Sequence, residues 1–196
     1  MRTSRLEAFS DGVLAIVITV MVLELHVPEG PHLSDLGDSA TGFLTYLLSF
    51  VYVGIYWNNH HHMFQLVRRV DGRVLWANLH LLFWVTLFPF STAWIDDTQL
   101  ARTPLVVYGV NLLAAAVAYY LLELTILRAE GEGGVLREAL GRDVKGKASP
   151  FLYLIGIVLA ALTGWPALIP FTAVAVIWLV PDRRMEEYVA RHGLSE

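Results

Sequence analysis

Three groups of side chains in this sequence have chemistry to offer. Arg5, Phe9, Ser10 and Asp11 stand at the head of the first long apolar run, in RLEAFSDGVLAI. Trp57, Asn59, His60, His61 and His62 fall inside the second run, and Trp76, Asn78 and His80 inside the third. Glu24 and Glu123 sit near the ends of apolar runs. An aspartate among apolar residues must be paired or hydrogen-bonded, and indole, amide and imidazole N–H groups are suitable donors. Two chemistries are open to this set: a structural clamp around Asp11, or a proton relay through Asp11, His60, His61 and Glu123. A metal centre is not expected, because three consecutive histidines on a helix point about 100° apart and cannot converge on one ion. The chain has no cysteine, no HExxH and no nucleophile motif, so enzyme chemistry is not expected either. Glu24 and Glu123 read most simply as interfacial or snorkelling groups.

The elements that must position these groups are membrane helices. Of 196 residues, 56% are apolar and 16% charged, against about 25% charged in soluble domains. The apolar excess is collected into six runs, at about 6–26, 41–66, 73–95, 103–128, 149–164 and 166–181. The first four are long enough for a bilayer core of about 30 Å. The last two are short, and Gly164-Trp165-Pro166 between them suits a hairpin with Pro166 at the helix start. The expectation is therefore an all-α, polytopic membrane protein with six transmembrane helices in one domain over residues 1–196. Residues 129–148 read as an exposed connector with a short surface helix. Leu25-His26-Val27-Pro28 lacks the small-residue pattern of a cleavage site, so the first run reads as a retained span.

Charge sets the orientation. Arg2, Arg5, Arg68, Arg69, Arg73, Arg128, Arg137, Arg142, Lys145, Lys147, Arg183, Arg184 and Arg191 all fall on one side of a six-span layout. The opposite side holds Arg102 with Glu29, Asp35, Asp38, Asp96 and Asp97. By the positive-inside rule both termini are cytoplasmic. The net charge of −4 offers no basic surface for nucleic acid.

Depth and helical phase then sort the polar groups. Asp11 lies roughly 9 Å inside the first helix at 1.5 Å per residue. Trp57 to His61 lie roughly 10–16 Å from the same side, and Asn78 a few residues in, so all fall in one half of the bilayer. At about 100° per residue, Gly12, Ile16, Thr19, Val20 and Leu23 form one stripe, and Ser10 and Asp11 point away from it. Such a stripe by itself reads as a lipid-facing or packed surface.

Motifs narrow the choice. Arg5-x-x-x-Phe9-Ser10-Asp11 ahead of an apolar helix, Tyr56-Trp57-Asn58-Asn59-His60-His61, and Trp76-Ala77-Asn78-Leu79 with Leu87-Phe88-Pro89-Phe90-Ser91-Thr92 resemble the motifs of the transmembrane protein 175 family of potassium channels, in its bacterial, single-repeat branch. The resemblance covers most of the chain. It implies a leak-like channel with moderate preference for potassium over sodium and no TVGYG filter; this chain has none. It also implies a homotetramer in the cell membrane, built around a central pore lined by the first helix. The constriction maps to Ile16, five positions after the signature aspartate, and the next layers to Thr19, Val20 and Leu23. These residues belong to the stripe already found from helical phase. Phe9, Ser10 and Asp11 are implied to pack and hydrogen-bond against the second and third helices, on Trp57, Asn59, His60 or His61, and Asn78. The implied partners are potassium ions and the lipid bilayer, with no cofactor and no metal beyond the permeating ion. One departure is Ala15, where relatives can carry a serine; the missing hydroxyl weakens selectivity. The alternative is a proton-coupled cation transporter or exchanger.

Overall fold

The computed structural model describes residues 3–37, 39–67, 69–131, 136 and 144–179, with the backbone alone at 144 and 147. Arg2, Asp38, Arg68, Arg137, Arg142, Arg183, Arg184 and Arg191 lie outside the described residues. So do most of the expected surface helix and residues 180–181 of the expected sixth span. The side chain of Lys147 is likewise not described.

The regular secondary structure of the described residues is all helix. Helix α1 spans Thr3–Leu23, α2 Ala40–Gln65, α3 Gly72–Thr86, α4 Phe88–Asp97, α5 Arg102–Glu130, α6 Val144–Thr163 and α7 Leu168–Leu179, with short 3-10 turns at Leu33–Gly37 and Trp165–Ala167. Helices α3 and α4 together make one span of 26 residues, Gly72–Asp97, so the six expected spans are present. Four of them, α1, α2, α3–α4 and α5, are long and apolar enough to cross a bilayer singly; α6 and α7 carry the two shorter apolar segments.

Three boundaries differ from the sequence reading. The third span breaks at Leu87, two residues before Pro89. Proline has no N–H to donate, and the chain is carried through a tighter turn, with Leu87 N–H bonded to the Trp84 carbonyl at 3.3 Å. Helix α6 starts at 144, inside the segment read as a connector, and absorbs Pro150 in its second turn. Helix α1 ends at Leu23, and Leu25 N–H closes a turn on the Val22 carbonyl at 3.4 Å. The hairpin between α6 and α7 follows the expected GWP turn. Gly164 adopts φ +85°, and its N–H reaches the Leu159 and Ala160 carbonyls, both at 3.2 Å. This left-handed helix end is why glycine stands there.

Packing sorts the helix faces. On α1 the residues buried within the chain are Leu6, Ser10, Leu14, Val17 and Met21, spaced by three and four. Buried Phe171 of α7 seats against Gly109 of α5 and Gly156 of α6; a Cβ at either glycine would meet the ring. A polar clasp ties α2, α4 and α5: the Ser49 hydroxyl lies 2.7 Å from Thr92 Oγ1 and 3.0 Å from the Tyr108 hydroxyl. Such bonds glue membrane helices for which lipid and protein interior are equally apolar.

Candidate functional site

The site has two halves that share α1. The first is a polar network at one end of the bundle, where the start of α1 meets the end of α2 through Thr3 Oγ1 donating to the Val67 carbonyl at 3.4 Å. Ser10 is fully buried and donates to the Leu6 carbonyl at 3.0 Å within its own helix. Asn78 Nδ2 donates to Ser10 Oγ at 2.9 Å, and His60 Nε2 meets Asn78 Oδ1 at 2.8 Å. The directions follow from this chain of donors. The Asn78 amide nitrogen is committed to Ser10, so its oxygen accepts, and His60 carries its proton on Nε2. His60 Nδ1 is buried without a hydrogen-bond partner. The α1–α2–α3 contact therefore holds one imidazole tautomer.

Beside it, Trp57 Nε1 donates to Asp11 Oδ1 at 3.1 Å, and His61 Nδ1 lies 2.8 Å from Glu7 Oε1. Asp11 is half-buried, and its partner is the indole. Of the two histidines left open as partners, neither is bonded to Asp11 in this structure: His60 goes to Asn78 and His61 to Glu7. Glu7 was missed in the sequence, where it looks like one more surface charge before the span. Its i−4 relation to Asp11 puts both carboxylates on one face of α1, towards α2.

Two signature positions depart from expectation. Asn59 Nδ2 donates to the Ile55 carbonyl of its own helix at 2.8 Å, and the Tyr119 hydroxyl donates to the Asn59 carbonyl at 3.1 Å. Asn59 is turned by about 100° from His60, so it faces α5 and lies outside the network. Phe9 is 51% exposed in the chain, so about half of its surface is left uncovered by the helices expected to pack against it. It lies seven residues before Ile16, two helical turns, and shares its azimuth. Arg5 is exposed at the head of α1.

The second half is the opposite face of α1. Gly12, Ile16, Thr19, Val20 and Leu23 are all exposed in the chain, with Ile16 at 62% and Leu23 at 81%. Thr19 Oγ1 donates to the Ile16 carbonyl at 2.8 Å, which leaves its lone pairs free to accept. A groove of about 950 Å³ runs beside this face between α1 and α3–α4, from Val13 and Ile16 to Glu24 and Asp97. At that far end His26, three residues past the end of α1, reaches α4, with Nδ1 3.3 Å from Asp96 Oδ2 and Nε2 3.8 Å from Asp97 Oδ1. Gly42 of α2 leaves room for the Asp96 carboxylate. Among the described residues no three histidine, cysteine or carboxylate side chains converge as a metal site.

Arg5, Arg69, Arg73, Arg128 and Lys145 stand at the end of the bundle that holds the polar network, while Glu24, Glu29, Asp35, Asp96, Asp97 and Arg102 stand at the other.

Comparison with known proteins agrees with this architecture. The family model described as the endosomal/lysosomal potassium channel TMEM175 matches residues 5–89, which hold α1, α2, α3 and the bend into α4. A curated potassium channel of Chryseobacterium sp. (strain P1-3) is 50% identical over 187 residues, covering 95% of this chain and 97% of the relative. The human endosomal/lysosomal proton channel TMEM175 is 36% identical over 112 residues, 51% of this chain and 22% of the human protein. The crystal structure of a lysosomal potassium-selective channel TMEM175 homologue from Chamaesiphon minutus superposes with a TM-score of 0.75 at 31% identity, covering 92% of this chain and 97% of that one. The full-length relative, the shared fold and the signature residues gathered on α1, α2 and α3 place one conclusion beyond the resemblance: the chain belongs to the TMEM175 family of ion channels.

Proposed function

We propose that this protein is a potassium channel of moderate selectivity, assembled as a homotetramer around four copies of α1. Residues 1–196 form one channel domain in the cell membrane, with both termini in the cytoplasm. The observation that carries the reading is the division of α1. One face is buried against its own chain through Leu6, Ser10, Leu14, Val17 and Met21. The other, through Gly12, Ile16, Thr19, Val20 and Leu23, is left exposed by its own chain. A face so placed lines a pore in the tetramer, and the groove between α1 and α3–α4 seats a neighbouring copy.

In that assembly a ring of Ile16 forms a hydrophobic constriction that gates by dewetting. One turn away, four Thr19 hydroxyls, each with its hydrogen held by the Ile16 carbonyl, present lone pairs to a cation. They replace part of its hydration shell, which costs potassium less than sodium. Ala15 adds no oxygen, so the preference is weaker than that of a carbonyl filter. No span carries regularly spaced arginines, which fits a leak-like channel with little voltage dependence. The membrane setting and the net charge of −4 give no role to nucleic acid.

Reconstitution in planar bilayers with potassium on one side and sodium on the other tests this. The reversal potential is expected to show potassium more permeant, and equal permeabilities would refute the selectivity. Proton permeation is the second reading, supported by the proton-channel names of the animal relatives. A reversal potential that follows the pH gradient instead of the potassium gradient would establish it.

A further inference from the structure

Two polar side chains deep in the spans keep hydrogen-bonding capacity that their own chain does not use. His80 of α3 is exposed. Its Nε2 accepts the Trp84 indole N–H at 3.0 Å, so the ring proton sits on Nδ1 and that donor is unused. Asn58 of α2 is half-buried, and its carboxamide makes no hydrogen bond among the described residues. Hydrocarbon satisfies neither group, and such side chains in a membrane face protein or water. Their depth follows from the His60–Asn78 bond, which sets α2 and α3 in register at 2.8 Å. The two helices run in opposite directions, since α2 ends and α3 starts at the same end of the bundle. Asn58 lies two residues before His60 and His80 two residues after Asn78, so each stands about 3 Å deeper than that bond. The same two steps turn each side chain by about 200° around its helix, away from the shared contact. Asn58 and His80 therefore share one level on opposite flanks of the chain and cannot meet within it.

A second copy supplies the missing partner. Rotation about an axis along the membrane normal preserves depth, and it presents the α3 flank of one copy to the α2 flank of the next. Unlike flanks meeting in this way close a ring. The flanks also match in shape. Gly54, one turn deeper than Asn58, has nothing within 4 Å of the place a Cβ would take, which leaves a notch on the outer side of α2. Phe83, about one turn deeper than His80, is 55% exposed and stands at the level of that notch. Three residues further on, Thr86 lines the groove beside α1, so the row His80, Phe83, Thr86 runs from this flank into the seat already assigned to a neighbouring copy. We propose that the α3 flank of one chain docks on the α2 flank of the next, with His80 Nδ1–H donating to Asn58 Oδ1 and Phe83 seated at Gly54. The inference rests on the homotetramer proposed above and names the surfaces that build it.

The chain has no cysteine, so introduced thiols can be linked without background. Full chains carrying Asn58→Cys and His80→Cys under different tags are co-expressed and treated in membranes with a neutral, ethane-linked bismethanethiosulfonate. Covalent pairs bearing both tags are expected, about tenfold more abundant than from Asn58→Cys with Leu154→Cys, a lipid-side control on α6. A chain with both substitutions is expected to give a ladder that ends at four chains. A second measurement needs no cysteine. His80→Leu and Asn58→Leu are each expected to weaken association by about threefold per interface, and the double variant no further than either. This cycle decides the matter if the cysteine chains do not assemble. Linking no more frequent than in the control, or leucine effects that add, in a wild-type protein that native mass spectrometry shows to be a tetramer, would overturn this interface and leave the tetramer standing. A wild-type monomer would overturn both.

Discussion

Asn78 carries the α1–α2–α3 junction because it donates to Ser10 and accepts from His60 with no exposure to solvent. Asn78→Leu removes both bonds and leaves the buried His60 ring without a hydrogen-bond partner, while Ser10 keeps its bond to the Leu6 carbonyl, at a cost of about 1–3 kcal/mol. The expected result is a lower midpoint in thermal unfolding of the detergent-solubilised protein, with ion preference unchanged in the channels that do assemble. Ile16 is different in kind, since it is exposed in the chain and contributes little to its core. Ile16→Ala should leave the unfolding midpoint near wild type, raise single-channel conductance and reduce the potassium-over-sodium ratio; unchanged conductance would move the constriction elsewhere. At this scale the sequence was partly readable. The azimuth of Ile16 followed from helical phase, and the same arithmetic, two turns back, would have put Phe9 on that face. The partner of His61 was not readable, because Glu7 is 54 residues away in sequence and the relative rotation of α1 and α2 sets which carboxylate it meets.

The helices owe their arrangement to a few close contacts. Phe171 fills the space left by two glycines on different helices, and its carbonyl accepts the Tyr52 hydroxyl at 2.6 Å. Phe171→Ala would empty a fully buried position at a cost of about 3–5 kcal/mol, seen as a lowered denaturant midpoint in mixed micelles. Gly156→Leu would clash with the same ring and should destabilise by a comparable amount. Substituting Gly12 makes the contrast: a Cβ there meets nothing within 4 Å, so Gly12→Ala should leave stability unaltered. Span count and order were legible because about 20 apolar residues are a length signal that survives any packing. The break at Leu87 was not, since Pro89 marks a bend without fixing which residue makes the turn. The early start of α6 was hidden by Lys145 and Lys147, whose charges resemble those of a connector. The Ser49–Thr92–Tyr108 clasp was invisible for another reason: three hydroxyl residues in three apolar runs become a cluster through the rotation of α2, α4 and α5 about their axes.

The whole molecule is polarised. Basic residues gather at the end with the Ser10–Asn78–His60 network, and Glu24 and Asp97 flank the far end of the groove beside α1. That separation was the most legible feature of the sequence, because charge segregation needs no knowledge of packing. It also has a functional consequence. In the proposed channel, a carboxylate pair at the pore mouth would raise the local cation concentration when salt is low and be screened when salt is high. Glu24→Gln with Asp97→Asn should lower conductance for potassium entering from that side by roughly twofold at low ionic strength, and the difference should vanish near 1 M salt, where the Debye length is about 3 Å. The central claim, that the free face of α1 lines the conduction pathway, has a direct test because the chain contains no cysteine. Single cysteines at Thr19, Val20 and Leu23, and at Leu14, Val17 and Met21 as controls, can each be exposed to a charged methanethiosulfonate reagent during recording. The account predicts irreversible block at 19, 20 and 23 and none at 14, 17 and 21; block confined to the second set, or absent from the first, would contradict it.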